Sequence, residues 1–299
     1  MNKSRKLAHF LMILLVISWG LEYVLAKNAL EVLPTMVLIF MKYFVAFFIV
    51  FAIKMKMDPG HWIRKKDIPI FIICSLTGEI LYFLCEYGAM SYMPVSLITV
   101  MLAFVPVISV IIETLVYKRK PNSQMVIAII VGIVGIGLII GVDFKEILGG
   151  EFIGYLLCLG AVFSWNIYNF ITASLGDKYS SITLTFNQLV CTLLLTAPYA
   201  LTHLPSISVI TTPVIWQVVY LGVVSGGFGF FIMVYALSVL GPTPNAVYSN
   251  FLPVTSTIFA WVFLGEKLGW LQILGGIIVI SAGYIVIKEK GKLEERNSD

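Results

Sequence analysis

Apolar windows of about 20 residues, each long enough to cross the ~30 Å hydrocarbon core of a bilayer as a helix, recur about ten times along this chain. They fall at 8–29, 34–53, 68–91, 94–117, 124–142, 151–174, 181–201, 213–238, 242–264 and 269–288. Lipid offers no partners to a peptide backbone, so a chain like this must span as helices, which satisfy their own N–H and C=O groups. Composition agrees. Only 12% of the 299 residues are charged and 59% are hydrophobic, with a mean hydropathy of +0.96, whereas soluble domains are about a quarter charged. The connections are short, and the longest polar stretch, KMKMDPGHWIRKKD, is too short to be a domain.

The N-terminal MNKSRK and the apolar run from Leu7 look superficially like a secretion signal. The run continues past Trp19 to Ala26, contains Glu22 and has no small-x-small cleavage pattern, so it reads as the first membrane helix. Loop charge sets the orientation. With the N-terminus in the cytoplasm, 16 of the 20 Lys and Arg residues fall inside and only Lys27, Lys145 and Lys267 outside, leaving Lys42 within the membrane. The expectation is a multi-pass protein of the plasma (inner) membrane with both termini cytoplasmic. A net charge of +4 gives no reason to expect nucleic acid. Cys74, Cys85, Cys158 and Cys191 lie in apolar runs without a CxxC pair, and His9, His61 and His203 are scattered, so neither a metal nor another cofactor is expected.

The two halves repeat. Ser18-Trp19 matches Ser164-Trp165, an offset of 146, and Ala103-Phe104-Val105-Pro106-Val107-Ile108-Ser109 matches Asn250-Phe251-Leu252-Pro253-Val254-Thr255-Ser256, an offset of 147. Five helices per half is an odd number, so the second copy enters from the opposite side. An inverted repeat of this kind points to alternating access around a site near the midplane. The expected fold is all-α and integral to the membrane: ten transmembrane helices in two inverted five-helix repeats, residues 1–146 and 147–299.

The chain resembles the EamA-type families of the drug/metabolite transporter superfamily over essentially its whole length. The likeness is carried by ISWGLEYVLAK in the first helix, YGAMSYMPVSLITVMLAFVPVISVIIE across the third and fourth, and YALSVLGPTPNAVYSNFLPVTSTIFAWVFLGEKLGWLQILGGIIVISAGYIVI at the end. It rests on Trp19-Gly20, on Pro106 and Pro253, and on the turn Gly265-Glu266-Lys267. The first half departs from the pattern, with Tyr117-Lys118-Arg119-Lys120 where the family often repeats Gly-Glu-Arg. The resemblance implies a secondary transporter of a small metabolite, the class including amino acids and amines. Glu22, Glu79 and Glu86 lie outside the family pattern and should speak to this chain's own substrate or coupling ion.

A charged group at mid-bilayer costs about 2.5–3.5 kcal/mol on insertion scales, so such residues usually sit where they work. Glu79 and Glu86 are seven apart, which puts them on one face of a regular helix with Tyr82 and Phe83 between. Glu22 and Tyr23 follow Trp19 by three and four residues; Trp165 and Tyr168 hold the corresponding places in the second half, and Tyr248 lies on the ninth helix. Aromatic rings beside carboxylates suit a cation. Trp19 and Trp165 lie mid-helix, which favours a pocket over an interfacial belt; Tyr92, Tyr117 and Trp270, at helix ends, read as belt residues. The expected substrate-binding set is therefore Trp19, Glu22, Tyr23, Glu79, Tyr82, Glu86, Trp165, Tyr168 and Tyr248, with Glu79 and Glu86 coupling a proton. Lys42 either snorkels to the headgroups or forms an ion pair with Glu22 or Glu86, and the cost of a lone buried charge favours pairing. Glu113 reads as a solvated end charge. The glycines of the fifth and tenth helices suit tight packing and also a homodimer face; those at 222–229 suit close packing or a local helix break.

These residues fit a proton-coupled carrier of a small amine or amino acid. The alternative is an uncoupled exporter or facilitator whose carboxylates only bind substrate. An enzyme would need a nucleophile–base or metal constellation, and the sequence has no HExxH, GxSxG or ATP-binding motif. A receptor or scaffold gives no reason for carboxylates inside the membrane.

Overall fold

The computed structural model describes residues 3–116, 118, 121–140, 151–176, 178–240 and 247–298. Tyr117, Arg119, Lys120, Lys145 and the 146/147 boundary lie outside the described residues. Among those described, the regular elements are all helical. Among the described residues, nine helices are long and apolar enough to cross a membrane: α1 (Ser4–Leu30), α2 (Thr35–Met57), α3 (Lys65–Ala89), α4 (Val95–Leu115), α6 (Phe152–Ala173), α7 (Ser181–Thr202), α8 (Thr212–Met233), α9 (Val247–Leu264) and α10 (Trp270–Lys292). Between them, α5 (Ser123–Ile139) is apolar but shorter, in the place of the window at 124–142. Many large apolar side chains face outward, Leu194 among them at 70% exposure. A surface this apolar needs lipid against it.

Proline sets several helix starts. Pro34 and Pro94 immediately precede α2 and α4, and Pro213 lies in the first turn of α8, where its missing N–H is no loss. Pro106 and Pro253 do more. Each follows a turn inside its span: α4 is divided into Val95–Leu102 and Val105–Val116, and α9 resumes at Leu252 after a turn at Asn250-Phe251. Three further stretches are π-helical: Ser75–Leu81 in α3, Leu221–Phe228 in α8 and Ala260–Leu264 in α9. Such widened turns free a backbone carbonyl and recur at functional positions.

The packing brings α2 against α7 and α5 against α10; α1 lies on α8 and α9, and α6 on α3 and α4. Each contact has a counterpart five helices further on. Glycine permits the close ones. A Cβ on Gly275 would come within 2.6 Å of the Gly135 carbonyl oxygen, so these two glycines are used between α5 and α10. Gly222 and Gly227 let α8 approach Val45 and Ile49 of α2, so the 222–229 cluster serves both packing and the π-turn. Gly20 explains why glycine follows Trp19: a Cβ there would lie 2.5 Å from Thr255 Oγ1 and 2.9 Å from its backbone carbon. Gly20→Ala should therefore push α1 off α9 and cost about 1–3 kcal/mol, the usual range for overpacking. A lower unfolding midpoint of the purified variant in detergent checks this; an unchanged midpoint counts against it.

Candidate functional site

The polar interior centres on α1, α2 and α3. Lys42 reaches from α2 to Glu22 of α1 and forms an ion pair with Glu22 Oε1, with both side chains buried. Its ammonium also lies 4.1 Å from the centroid of the Phe83 ring on α3. The lysine therefore points inward rather than to headgroups. Glu86, at 2% exposure, accepts two hydrogen bonds on one oxygen: Tyr23 Oη donates at 2.6 Å and Tyr82 Oη at 2.7 Å. Phenol donors on a carboxylate are a common way to keep a buried acid satisfied. Beside them the Tyr87 hydroxyl is buried without a hydrogen-bond partner among the described residues. Tyr87 was not among the residues expected from sequence. Adjacent residues on a helix ordinarily point apart, so the sequence gives no sign that Tyr87 lies beside the Glu86 cluster.

Glu79 stands apart from this cluster. It lies in the π-helical stretch Ser75–Leu81, and it is half-buried. The wider turn disturbs the regular spacing on which a shared Glu79–Glu86 face depends. Glu79 has no hydrogen bond or ion pair among the described residues. Aromatic rings pack on the helix around it. The Tyr168 ring of α6 lies so close over Gly78 that a Cβ there would meet it at 2.2 Å. Trp165 lies tilted between Tyr168 and Tyr82, with ring centroids 5.0 and 4.9 Å away. Ser164 donates from Oγ to the Thr77 carbonyl at 2.6 Å, pinning the π-turn to α6. The Tyr168 hydroxyl is held by Gln188 Oε1 at 3.1 Å.

Trp19 and Tyr248 occupy a different cluster, with Met12, Leu15 and Ala236. Trp19 Nε1 donates to the Ser225 carbonyl in the π-stretch of α8 at 3.4 Å, and Tyr248 Oη lies 2.8 Å from His9 Nδ1. The expected residues thus divide into an α1–α2–α3 ion-pair and carboxylate cluster, an aromatic wall from α6, and an α1–α8–α9 cluster holding Trp19 and Tyr248. No group of three or more His, Cys, Asp or Glu that could hold a metal occurs among the described residues.

Both ends of the bundle carry polar ties. At one end, Glu266 in the turn before α10 accepts from the N–H groups of Val95 and Ser96 at 2.8 and 3.0 Å, from Ser96 Oγ at 2.7 Å and from Lys27 Nζ at 3.1 Å. A carboxylate at the first turn of α4 satisfies N–H groups that have no partner within the helix. Burial opposes its charge, but the Ser96 and Val95 donors and Lys27 outweigh that and hold the carboxyl below its ordinary value. Gly265, with φ of 68°, supplies the left-handed turn that aims it. At the other end, Asp58 accepts from Ser180, Thr183 and His61, which hold its carboxyl well below the usual range. Tyr179 donates to Asp67 at 2.5 Å.

The Glu266 tie makes a prediction with a definite sign. Its folded-state value is lowered, so its contribution is full above the ordinary glutamate value of 4.5 and is lost as pH falls below it. Glu266→Ala should cost about 1.5–3 kcal/mol near neutrality, as for a hydrogen-bonded charge. The deficit should shrink in acid. Thermal unfolding of both proteins across pH 3–7 checks this, and a deficit independent of pH would contradict it.

Comparison with known proteins decides the lineage. The sequence profile of the EamA-like transporter family matches residues 6–141 and again 152–288. The chain belongs to the EamA-like transporter family. Its relatives in the EamA-like transporters include the uncharacterized transporter YvbV of Bacillus subtilis (strain 168), 24% identical over 95% of this chain and 92% of that one. A probable amino-acid metabolite efflux pump of Escherichia coli (strain K12) is also 24% identical, over 92% of this chain and 93% of that one. A crystal structure of a protein aligns with a TM-score of 0.64 at 15% identity, covering 96% of this chain and 98% of that one, which speaks to the fold alone. This EamA-like protein is therefore a multi-pass membrane transporter. Both of these relatives are named for transport.

Proposed function

We propose that this chain is a secondary active transporter that moves a small amine or amino acid by alternating access, with a proton competing for the same site. The observation that carries the reading is Glu79: a carboxylate at the middle of α3, without a protein partner among the described residues, beside the aromatic wall of Tyr82, Trp165 and Tyr168. A group placed like this can take either a cargo ammonium or a proton, and the rings add cation–π attraction. Glu86, Tyr23, Glu22 and Lys42 shape the charge around it, with Glu86 as a second proton-accepting group. Trp19 and Tyr248 serve the matching wall of the other half. The name of the E. coli relative favours amino-acid metabolites as cargo.

Two inverted repeats of five helices, 1–146 and 147–299, are the architecture we infer. The family profile matches twice, and the contacts α2–α7, α5–α10, α1–α8 and α3–α6 map onto themselves when helices are advanced by five. The π-stretches at Ser75 and Leu221 and the interruptions before Pro106 and Pro253 recur at the offsets of 146 and 147 read from the sequence. Under this reading the termini are cytoplasmic, the membrane is the plasma membrane, Glu266 ties the outer face and Asp58 the inner one. Alternating access requires those ties to open in turn.

A thermal-shift screen of purified protein against amines, amino acids and neutral metabolites at pH 5.5 and 8 tests the proposal. Stabilisation by an amine or amino acid that is stronger at pH 8, and lost in Glu79→Gln, is the expected result. Stabilisation by neutral metabolites alone would reject it. Binding that ignores pH would instead favour an uncoupled facilitator.

A further inference from the structure

At mid-span, α1, α2 and α3 bring the carboxylates Glu22 and Glu86 together with the ammonium of Lys42, and Glu79 lies two turns before Glu86 on α3. The position of that cation is informative. Lys42 is 4% exposed, its ammonium is paired with Glu22, and it lies over the face of Phe83. Carboxylate below and ring face above is the arrangement that binds a substrate ammonium elsewhere in nature. Here the protein fills it with its own side chain. Phe83 packs edge-on against Tyr82 at 5.0 Å and touches Tyr87 at 5.0 Å, so the seat adjoins the Glu86 cluster. Tyr82 in turn lies 4.9 Å from Trp165, which connects this seat to the aromatic wall next to Glu79. Tyr82 thus joins two ammonium seats, the one at Glu22 and Phe83 and the one at Glu79. Glu79 has no hydrogen bond or ion pair among the described residues, and Glu22 is taken.

We propose that Lys42 is a specificity-determining residue: a tethered ammonium that occupies the second cation seat, at Glu22 and Phe83, and limits the cargo to a single positive charge. This rests on the transport reading above and refines its substrate class to monocations and zwitterions. A diamine entering the site would place one ammonium on Glu79 and bring the other against Lys42, whose carboxylate is already engaged. A desolvated like-charge contact of this kind discriminates strongly. Lys42→Gln removes the tethered cation and leaves Glu22 open to the second ammonium. Lys42→Gln with Glu22→Gln removes the seat altogether.

The three proteins are compared by thermal shift and by equilibrium binding of butylamine and 1,4-diaminobutane. Wild type should bind the diamine no better than butylamine. Lys42→Gln should bind the diamine at least tenfold more tightly than butylamine, and the double variant should lose that preference. Lys42→Gln leaves a buried carboxylate alone, so the single variant is also purified with and without the diamine. Better recovery with the diamine than with butylamine supports the assignment. Equal recovery, while the double variant folds, overturns it, as does a wild-type preference for the diamine. A wild-type protein unresponsive to every amine and amino acid would instead overturn the transport reading; the diamine preference of Lys42→Gln still decides the role of Lys42.

Discussion

Glu79→Gln should reduce gradient-driven accumulation of cargo in proteoliposomes to the level of protein-free vesicles while leaving the protein folded and inserted. The amide keeps the volume and hydrogen-bonding capacity of the acid but can neither carry charge nor exchange a proton. Folding should be spared for a structural reason. Glu79 has no hydrogen bond or ion pair among the described residues, so its replacement breaks nothing. Glu86→Gln is the contrasting case, because Tyr23 and Tyr82 both donate to its carboxylate and lose a charged acceptor. The pair of variants separates transport from stability. Wild-type accumulation by Glu79→Gln would remove Glu79 from the mechanism and leave Glu86 or Glu22 as the candidate.

Breaking the Glu22–Lys42 pair from one side should produce the largest stability loss of any single change in the interior. Glu22→Leu strands the ammonium of Lys42 among Phe83, Tyr43 and the helices of the bundle. Removing one partner of a buried pair typically costs about 3–5 kcal/mol, because the other charge remains desolvated. Replacing both, as Glu22→Leu with Lys42→Met, should recover most of that loss, since well-packed apolar residues substitute for buried pairs at little cost. Unfolding midpoints of the two singles and the double give the coupling directly. Additive losses would mean that the pair is not the source of the stability.

Several of these features were legible in the sequence, and their limits have physical causes. Hydropathy alone marks the spans, because lipid leaves the backbone no alternative to helix. The matching offsets at Ser18-Trp19 and at Pro106 anticipate where the helices are interrupted, because proline removes an N–H wherever it stands. What periodicity could not foresee is the π-turn at Ser75–Leu81. Seven-residue spacing puts Glu79 and Glu86 on one regular face, yet past the widened turn Glu79 has no hydrogen bond or ion pair among the described residues and Glu86 is clasped by tyrosines. Nothing in the residues from Ser75 to Leu81 announces that turn, which is fixed from α6 by Ser164 and Tyr168. Pairing of Lys42 was favoured by the cost of a lone charge, but Phe83 as its second contact needed the packing of α2 on α3. Glu266 stood in the sequence only as part of a family turn. Its role became visible with the first turn of α4, which lies some 170 residues away in the chain.

The most direct test of the central idea, that cargo and proton compete for one carboxylate, is proton movement itself. Purified protein is reconstituted into vesicles containing a trapped pH-sensitive dye, and a zwitterionic amino acid that crosses lipid poorly is added outside. Protein-free vesicles and Glu79→Gln vesicles serve as references. The account predicts that cargo entering through wild-type protein drives protons out, so the internal pH rises, and that neither reference responds. Uptake of the amino acid with no change in internal pH, or a pH change undiminished in Glu79→Gln, would contradict it.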